Sequence, residues 1–170
     1  VVQEEMRADG HHVVLVDLST ASTAADMTHR LLRAVGTDLG RTLKDAALAI
    51  ARRMKFEVSL DVDPISGMPI PKVGAALREA DMETQRASFA EALDAIERLA
   101  VERKTRIGVM LDEFQEIHRF GGEIAEAQLR GVMQHQTRVG YVLAGSDERL
   151  LRAMLGPRRA LHKMLNPVWF

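Results

Sequence analysis

The chain contains no cysteine, which removes disulfides, zinc–thiolate sites and thiol catalysis from consideration. It has no dominant charge either. Its 23 basic and 24 acidic residues leave a formal net charge of −1, a balance against a nucleic-acid surface governing the fold, though compatible with a local patch. No apolar run approaches the ~20 residues that a bilayer crossing requires, and no signal-peptide pattern is visible at the start. The six histidines show no HExxH-type ligand spacing. No basic and aromatic constellation supports nucleic-acid chemistry. What is present is 46% hydrophobic content over 170 residues, enough to bury one core and so to form one domain. The nine methionines fall mostly on apolar stripes, where this side chain fills gaps. These features describe a cytoplasmic protein with one α/β domain.

The order of patterns along the chain supports that class. Residues 2–8 read as the end of a helix stopped by Asp9-Gly10. His12 to Leu18 reads as a buried strand carrying Asp17 near its end, and Ser19, Thr20, Ser22 and Thr23 offer N-caps for a helix. Leu31, Leu32, Val35 and Leu39 form an apolar stripe that Leu43, Ala47, Ile50, Ala51 and Met54 continue, with Gly36 expected to break the run into two helices. Phe56 to Val62 alternates with period two, Asp63 to Gly67 supplies a turn, and Met68 to Val73 returns as a strand that Pro69 and Pro71 confine to an edge. An amphipathic helix is expected over Glu83 to Lys104, with Phe89, Leu93, Ile96, Leu99 and Ala100 on one face. Gly121-Gly122 opens a further helix, with Ile124, Ala125, Leu129, Val132 and Met133 as its apolar stripe. Val139 to Ala144 is the next strand, and a short helix runs to about Leu155. Strands alternating with helices imply parallel βαβ units with right-handed crossovers.

The most informative stretch is Ile107-Gly-Val-Met-Leu-Asp-Glu-Phe-Gln-Glu-Ile117. An apolar run of strand length, the mark of a buried parallel strand, ends in two adjacent carboxylates, Asp112 and Glu113. Polar groups at the C-terminal ends of parallel strands lie where open α/β sheets bind ligands. Two acids there suit a divalent cation and a base able to activate water. The plain alternative is a pair of acids that end a strand and cap the turn at Phe114. Ser146, in Val142-Leu-Ala-Gly-Ser-Asp147, closes the next strand, where it or Asp147 also suits the N-cap of the helix that follows. Asp17 has a capping or turn role open to it in the same way.

The LDEFQEI string and the Gly145-Ser146 pair resemble the Walker B and sensor 1 strings of AAA+/STAND-type P-loop ATPases, and within them the archaeal-ATPase family. The resemblance covers roughly residues 1–165, and it implies a three-layer P-loop-type α/β sandwich in which residues 56–73 are a β-hairpin insertion. It implies Asp112 as the Mg²⁺ residue, Glu113 as the base that orients the attacking water, and Ser146 as the sensor near the γ-phosphate of ATP. It also implies an arginine finger, acting between copies of a homo-oligomer. Arg158 or Arg159 is the better-placed candidate in a segment that also holds Arg149 and Arg152, although the aromatic string that many relatives carry nearby is replaced by Ala160 to Phe170.

The phosphate-binding loop GxxxxGK[ST] occurs nowhere in the 170 residues. Gly36-Thr-Asp-Leu-Gly40-Arg-Thr42 has the wrong glycine spacing and an arginine in place of the lysine, among helix formers. The chain opens with Val1, so the resemblance places the missing strand and loop upstream, and its removal leaves the strand at 139–144 with an unpaired apolar edge. It implies ATP hydrolysis coupled to a regulatory or mechanical switch in the intact protein, this segment alone being inactive, with any nucleic-acid contact made by a domain outside it. Two other readings are a nucleotide-independent scaffold or interaction module, and a metal-dependent phosphotransfer or nuclease domain using Asp17, Asp112 and Glu113.

Overall fold

The computed structural model describes residues 12–38, 58–62, 69–73 and 79–169. The helix end read at residues 2–8, the stripe from Leu39 to Met54 and the turn at 63–67 lie outside them. The element order is β1 (His12–Asp17), α1 (Ala24–Asp38), β2 (Val58–Val62), β3 (Pro69–Val73), α2 (Met82–Glu102), β4 (Ile107–Asp112), α3 (Glu116–Met133), β5 (Val139–Leu143) and α4 (Glu148–Met154). The expected α/β class is present. β1, β4 and β5 form a three-stranded sheet in that order, parallel throughout, with Asp17 opposite Asp112 and Leu111 opposite Leu143. β2 and β3 form a separate antiparallel pair in which Leu60 faces Pro71 and Val62 faces Pro69, so both prolines sit on edge strands, where a missing N–H is tolerated.

The helices α1, α2 and α4 start where the sequence supplies a cap. Thr23 Oγ1 accepts from the Asp26 N–H at 3.1 Å, and the Thr23 carbonyl accepts from the Met27 N–H, so Thr23 opens α1. The Asp81 carboxylate opens α2 by accepting from the Thr84 N–H at 2.8 Å. That helix closes on Lys104, whose φ of +53° is left-handed. Bonds from Lys104 N to the Val101 carbonyl and from Thr105 N to the Ala100 carbonyl complete a Schellman ending. Gly36 does not break the first helix, as its sequence position suggested; α1 continues to Asp38. A single glycine costs a helix only about 1 kcal/mol, and the burial of Leu31, Leu32 and Val35 outweighs it.

The topology explains where the core lies. From β1 to β4 to β5 the chain advances across the sheet in one direction, and right-handed crossovers then place the connecting helices on the same face. Val14, Val16, Ile107, Val109 and Leu111 on that face are at most 1% exposed and join Leu31, Leu93, Ile96 and Leu129 in one core. Phe89, Leu93, Ile96, Leu99 and Ala100 of α2 are all buried, as the periodicity required. The alternate residues point the other way, and there Leu15 and Val142 are 40% and 44% exposed. A three-layer sandwich covers this second face. Among the described residues its row Leu15, Met110, Val142 stays largely open.

The helix expected to open at Gly121-Gly122 is the second of two segments that make up α3. Helical structure begins at Glu116, and Gly122, with φ +54° and ψ −146°, divides it into two segments. That conformation belongs to glycine. Ala125, Leu129 and Met133 are buried in the second segment, but Ile124 is 59% exposed, against its expected place in the stripe. It stands one residue ahead of Ala125, about 100° around the helix.

Candidate active site

The strand ends bring the acidic pair to one edge of the sheet. Asp112 closes β4 between Asp17 of β1 and the segment Ala144-Gly145-Ser146 after β5. The Leu18 N–H donates to the Asp112 carbonyl at 3.2 Å, and the Phe114 N–H donates to the Ala144 carbonyl at 2.8 Å. The turn that carries the acids is therefore tied to both neighbouring strands. Phe114 drops into the core at 1% exposure and anchors the turn from below.

Glu113 occupies the left-handed region with φ +53°, a conformation that costs a non-glycine residue about 1–3 kcal/mol and gathers at functional sites. Its N–H donates to Asp112 Oδ1 at 2.9 Å, and its carbonyl accepts from the Glu116 N–H to start α3. This backbone turn swings the side chain toward β5. There Glu113 Oε2 accepts from Ser146 Oγ at 2.9 Å and also from Gln115 Nε2. Asp112 is exposed, and its Oδ2 makes no hydrogen bond among the described residues.

Gln115 and Gly145 stood in the two strings read from the sequence, but neither was given a role of its own. Gln115 is the N-cap residue of α3 yet makes no side-chain cap bond. Its side chain turns inward to 2% exposure, with Nε2 on Glu113 and Oε1 left without a partner. A buried acceptor in that state costs about 1–3 kcal/mol. A Cβ on Gly145 would overlap Gln115 Oε1. Gly145 has no left-handed φ, so glycine is needed there for space. The advance signals were the strings themselves, LDEFQEI for Gln115 and the Gly145-Ser146 pair for Gly145.

Asp147 is the N-cap of α4, with its carboxylate accepting from the Leu150 N–H at 3.0 Å. Ser146 is thereby left to Glu113. Asp17 forms a turn: its Oδ1 accepts from the Ser19 N–H at 2.8 Å. Donation from the Ser19 backbone, then from its hydroxyl, holds the Asp17 carboxyl below the ordinary range. Arg30 donates to the Asp17 carbonyl at 3.0 Å.

The four arginines after Ser146 separate by environment. Arg152 pairs with Glu148 at 2.7 Å and stacks on Trp169, 4.0 Å from the ring centroid. Arg159 is engaged inside the protein: Nε donates to Glu126 Oε2 at 3.1 Å and NH1 to Glu123 at 2.8 Å. Donation to Glu126 raises the Arg159 guanidinium above its usual range. Glu126 is wholly buried and also meets His118 Nδ1 at 2.8 Å, a structural use of that histidine. Arg149 and Arg158 are exposed and make no ion pair among the described residues, and Arg158 has a left-handed φ of +71°.

No group of three or more His, Asp or Glu side chains suited to a metal occurs among the described residues, and none of their helices is long and apolar enough to cross a membrane. No family model matches the chain, and no curated protein matches it. Among solved structures, the chain is similar to the Aeropyrum pernix ORC2 protein, determined in ADPNP–ADP complexes, at 18% identity and a TM-score of 0.46. The match covers 92% of this chain and 32% of that one, so the chain spans about a third of that protein's length.

Proposed function

We propose that the intact protein binds ATP and hydrolyses it with Mg²⁺, with Glu113 as the base that orients water and Ser146 as the polar group beside it. The observation that carries this reading is the left-handed Glu113 whose carboxylate meets Ser146 across the ends of two parallel strands. A strained, non-glycine backbone that aims a carboxylate at a sheet edge is costly for folding and useful for chemistry. A general base contributes ~10²–10⁴-fold to rate when it is held within hydrogen-bond reach of its proton.

The residues also fit a magnesium site. Mg²⁺ keeps most of its waters and takes one or two carboxylates together with substrate phosphates. Asp112, with Oδ2 uncommitted among the described residues beside Glu113, supplies a ligand of that kind. The ion, when bound, would offset charge on the transferring phosphoryl group. Phosphate grip requires a segment other than these strand ends, because no GxxxxGK[ST] lies in the 170 residues. Arg158 is the better finger of the two candidates, since Arg159 is committed to Glu126 and Glu123. It would act on a neighbouring copy.

The test is calorimetric titration of the full-length polypeptide with Mg·ATP, followed by a phosphate-release assay. Binding and turnover are expected. The opposing outcome, no heat of ATP binding by the full-length polypeptide, would decide for a nucleotide-independent interaction module. Asp17, tied into a turn by Ser19, gives little to the phosphotransfer or nuclease reading.

A further inference from the structure

Gln115 is an expensive residue to fold as it stands. It holds the N-cap position of α3 without capping it, it is 2% exposed, and its amide oxygen has no partner. Reversing the amide would place that oxygen against the Glu113 carboxylate, so the donor must face Glu113. Gly145, in turn, keeps free the space that the unpartnered oxygen occupies. Two positions 30 residues apart are thus shaped around one contact, from Gln115 Nε2 to Glu113 Oε2.

We infer that Gln115 is a positioning residue: its buried amide, seated in the space left by Gly145, fixes the direction in which Glu113 presents its carboxylate. Ser146 donates to the same oxygen, so Glu113 Oε2 is held from two sides. Oε1 makes no hydrogen bond among the described residues and is left to face a reacting water. This inference rests on Glu113 as the base, and it assigns to Gln115 no contact with substrate.

The test combines kinetics with a readout independent of turnover. In the full-length protein, Gln115→Leu removes the donor while retaining bulk, and Gly145→Ala displaces the amide from the opposite side. Both are expected to lower kcat about 10²-fold, the scale for a misplaced catalytic group, with KM for ATP unchanged. In a Glu113→Gln background, Gln115→Leu should have no further effect, because residues acting through one another are not additive. By NMR, the Gln115 side-chain amide should show one displaced, slowly exchanging proton that Glu113→Ala returns to the ordinary position. Equal loss of kcat with Glu113 present or already replaced would overturn the inference, as would an amide signal indifferent to Glu113. Failure of wild-type turnover would instead sink the base reading, and the amide signal would still decide whether Gln115 holds Glu113.

Discussion

Arg159 reaches back 33 residues to donate from Nε to Glu126 Oε2 at 3.1 Å, which joins the turn after α4 to a carboxylate that solvent does not reach. His118 and Glu123 complete the cluster, so the buried Glu126 carboxylate meets one guanidinium and one imidazole from separate elements. Removing one partner of such a pair costs about 3–5 kcal/mol, because the other charge stays buried and uncompensated. Arg159→Ala should lower stability by that order, read as a reduced urea midpoint with an unchanged slope. Arg158→Ala, at an exposed position, should stay within about 0.5 kcal/mol. Equal losses for the two would show that the cluster contributes no more than the surface does.

Glu113→Gln in the full-length protein should slow ATP hydrolysis by about 10²–10⁴-fold, the usual contribution of a general base, while leaving ATP affinity within a factor of two or so. Single-turnover rates and equilibrium titration separate the two quantities. Unchanged turnover would remove Glu113 from the chemistry.

Ser146 and Asp147 are neighbours with different duties. Asp147 caps α4 through the Leu150 N–H, so Asp147→Ala should cost about 0.5–2 kcal/mol of stability. Ser146 donates to Glu113 instead; Ser146→Ala should leave the melting temperature close to wild type and lower kcat. Thermal melts and initial rates on the same two proteins test this. The reverse pattern would return Ser146 to a capping role.

Glu97 gathers the start of β5. Its carboxylate accepts from Thr137 N and Oγ1, from Arg138 N, and from Val139 N, at distances of 2.9 to 3.2 Å. Burial alone would raise its carboxyl, but the donors from Thr137, Arg138 and Val139 together outweigh burial and hold it below the ordinary glutamate range. A depressed folded value means that the contribution to stability is complete above the unfolded value, near pH 4.3 or roughly so. It is lost as pH falls through the lower, folded value. Wild-type stability should therefore drop on acidification below about pH 4.5 more steeply than that of Glu97→Gln. Parallel pH profiles from urea titrations would contradict this.

Much of the frame was legible because it is local. The strand at Ile107–Asp112 announces itself by an unbroken apolar run, and the five named residues of α2 lie where a period of 3.6 puts them. What could not be read is where contacts join distant positions. Ile124 was misplaced because it stands next to Ala125 at the margin of the stripe, about 100° around the helix, and an apolar residue there does not announce which side of the margin it takes. Gly36 looked like a breaker because a glycine's cost is visible in sequence, whereas the burial that offsets it is tertiary. Gln115 meets Gly145 only after β4 and β5 pair, and Arg159 reaches Glu126 only after the turn behind α4 folds back on α3. The placing of the two acids and of Ser146 at neighbouring strand ends was readable; the packing of Gln115 against Gly145 was not.

The turn at Asp112–Phe114 is stitched on one side to Leu18 and on the other to Ala144, which limits how the acids can move. With the backbone clamped from both flanks, Glu113 has only its own side-chain torsions to turn with. Such torsions change in picoseconds to nanoseconds where a side chain is exposed, far faster than the microseconds to milliseconds of a shifting strand or hinge. For Glu113, which is half-buried, that torsional change also breaks the hydrogen bonds from Ser146 and Gln115, so its carboxylate is redirected by the release of two donors and not by a shift of the strand.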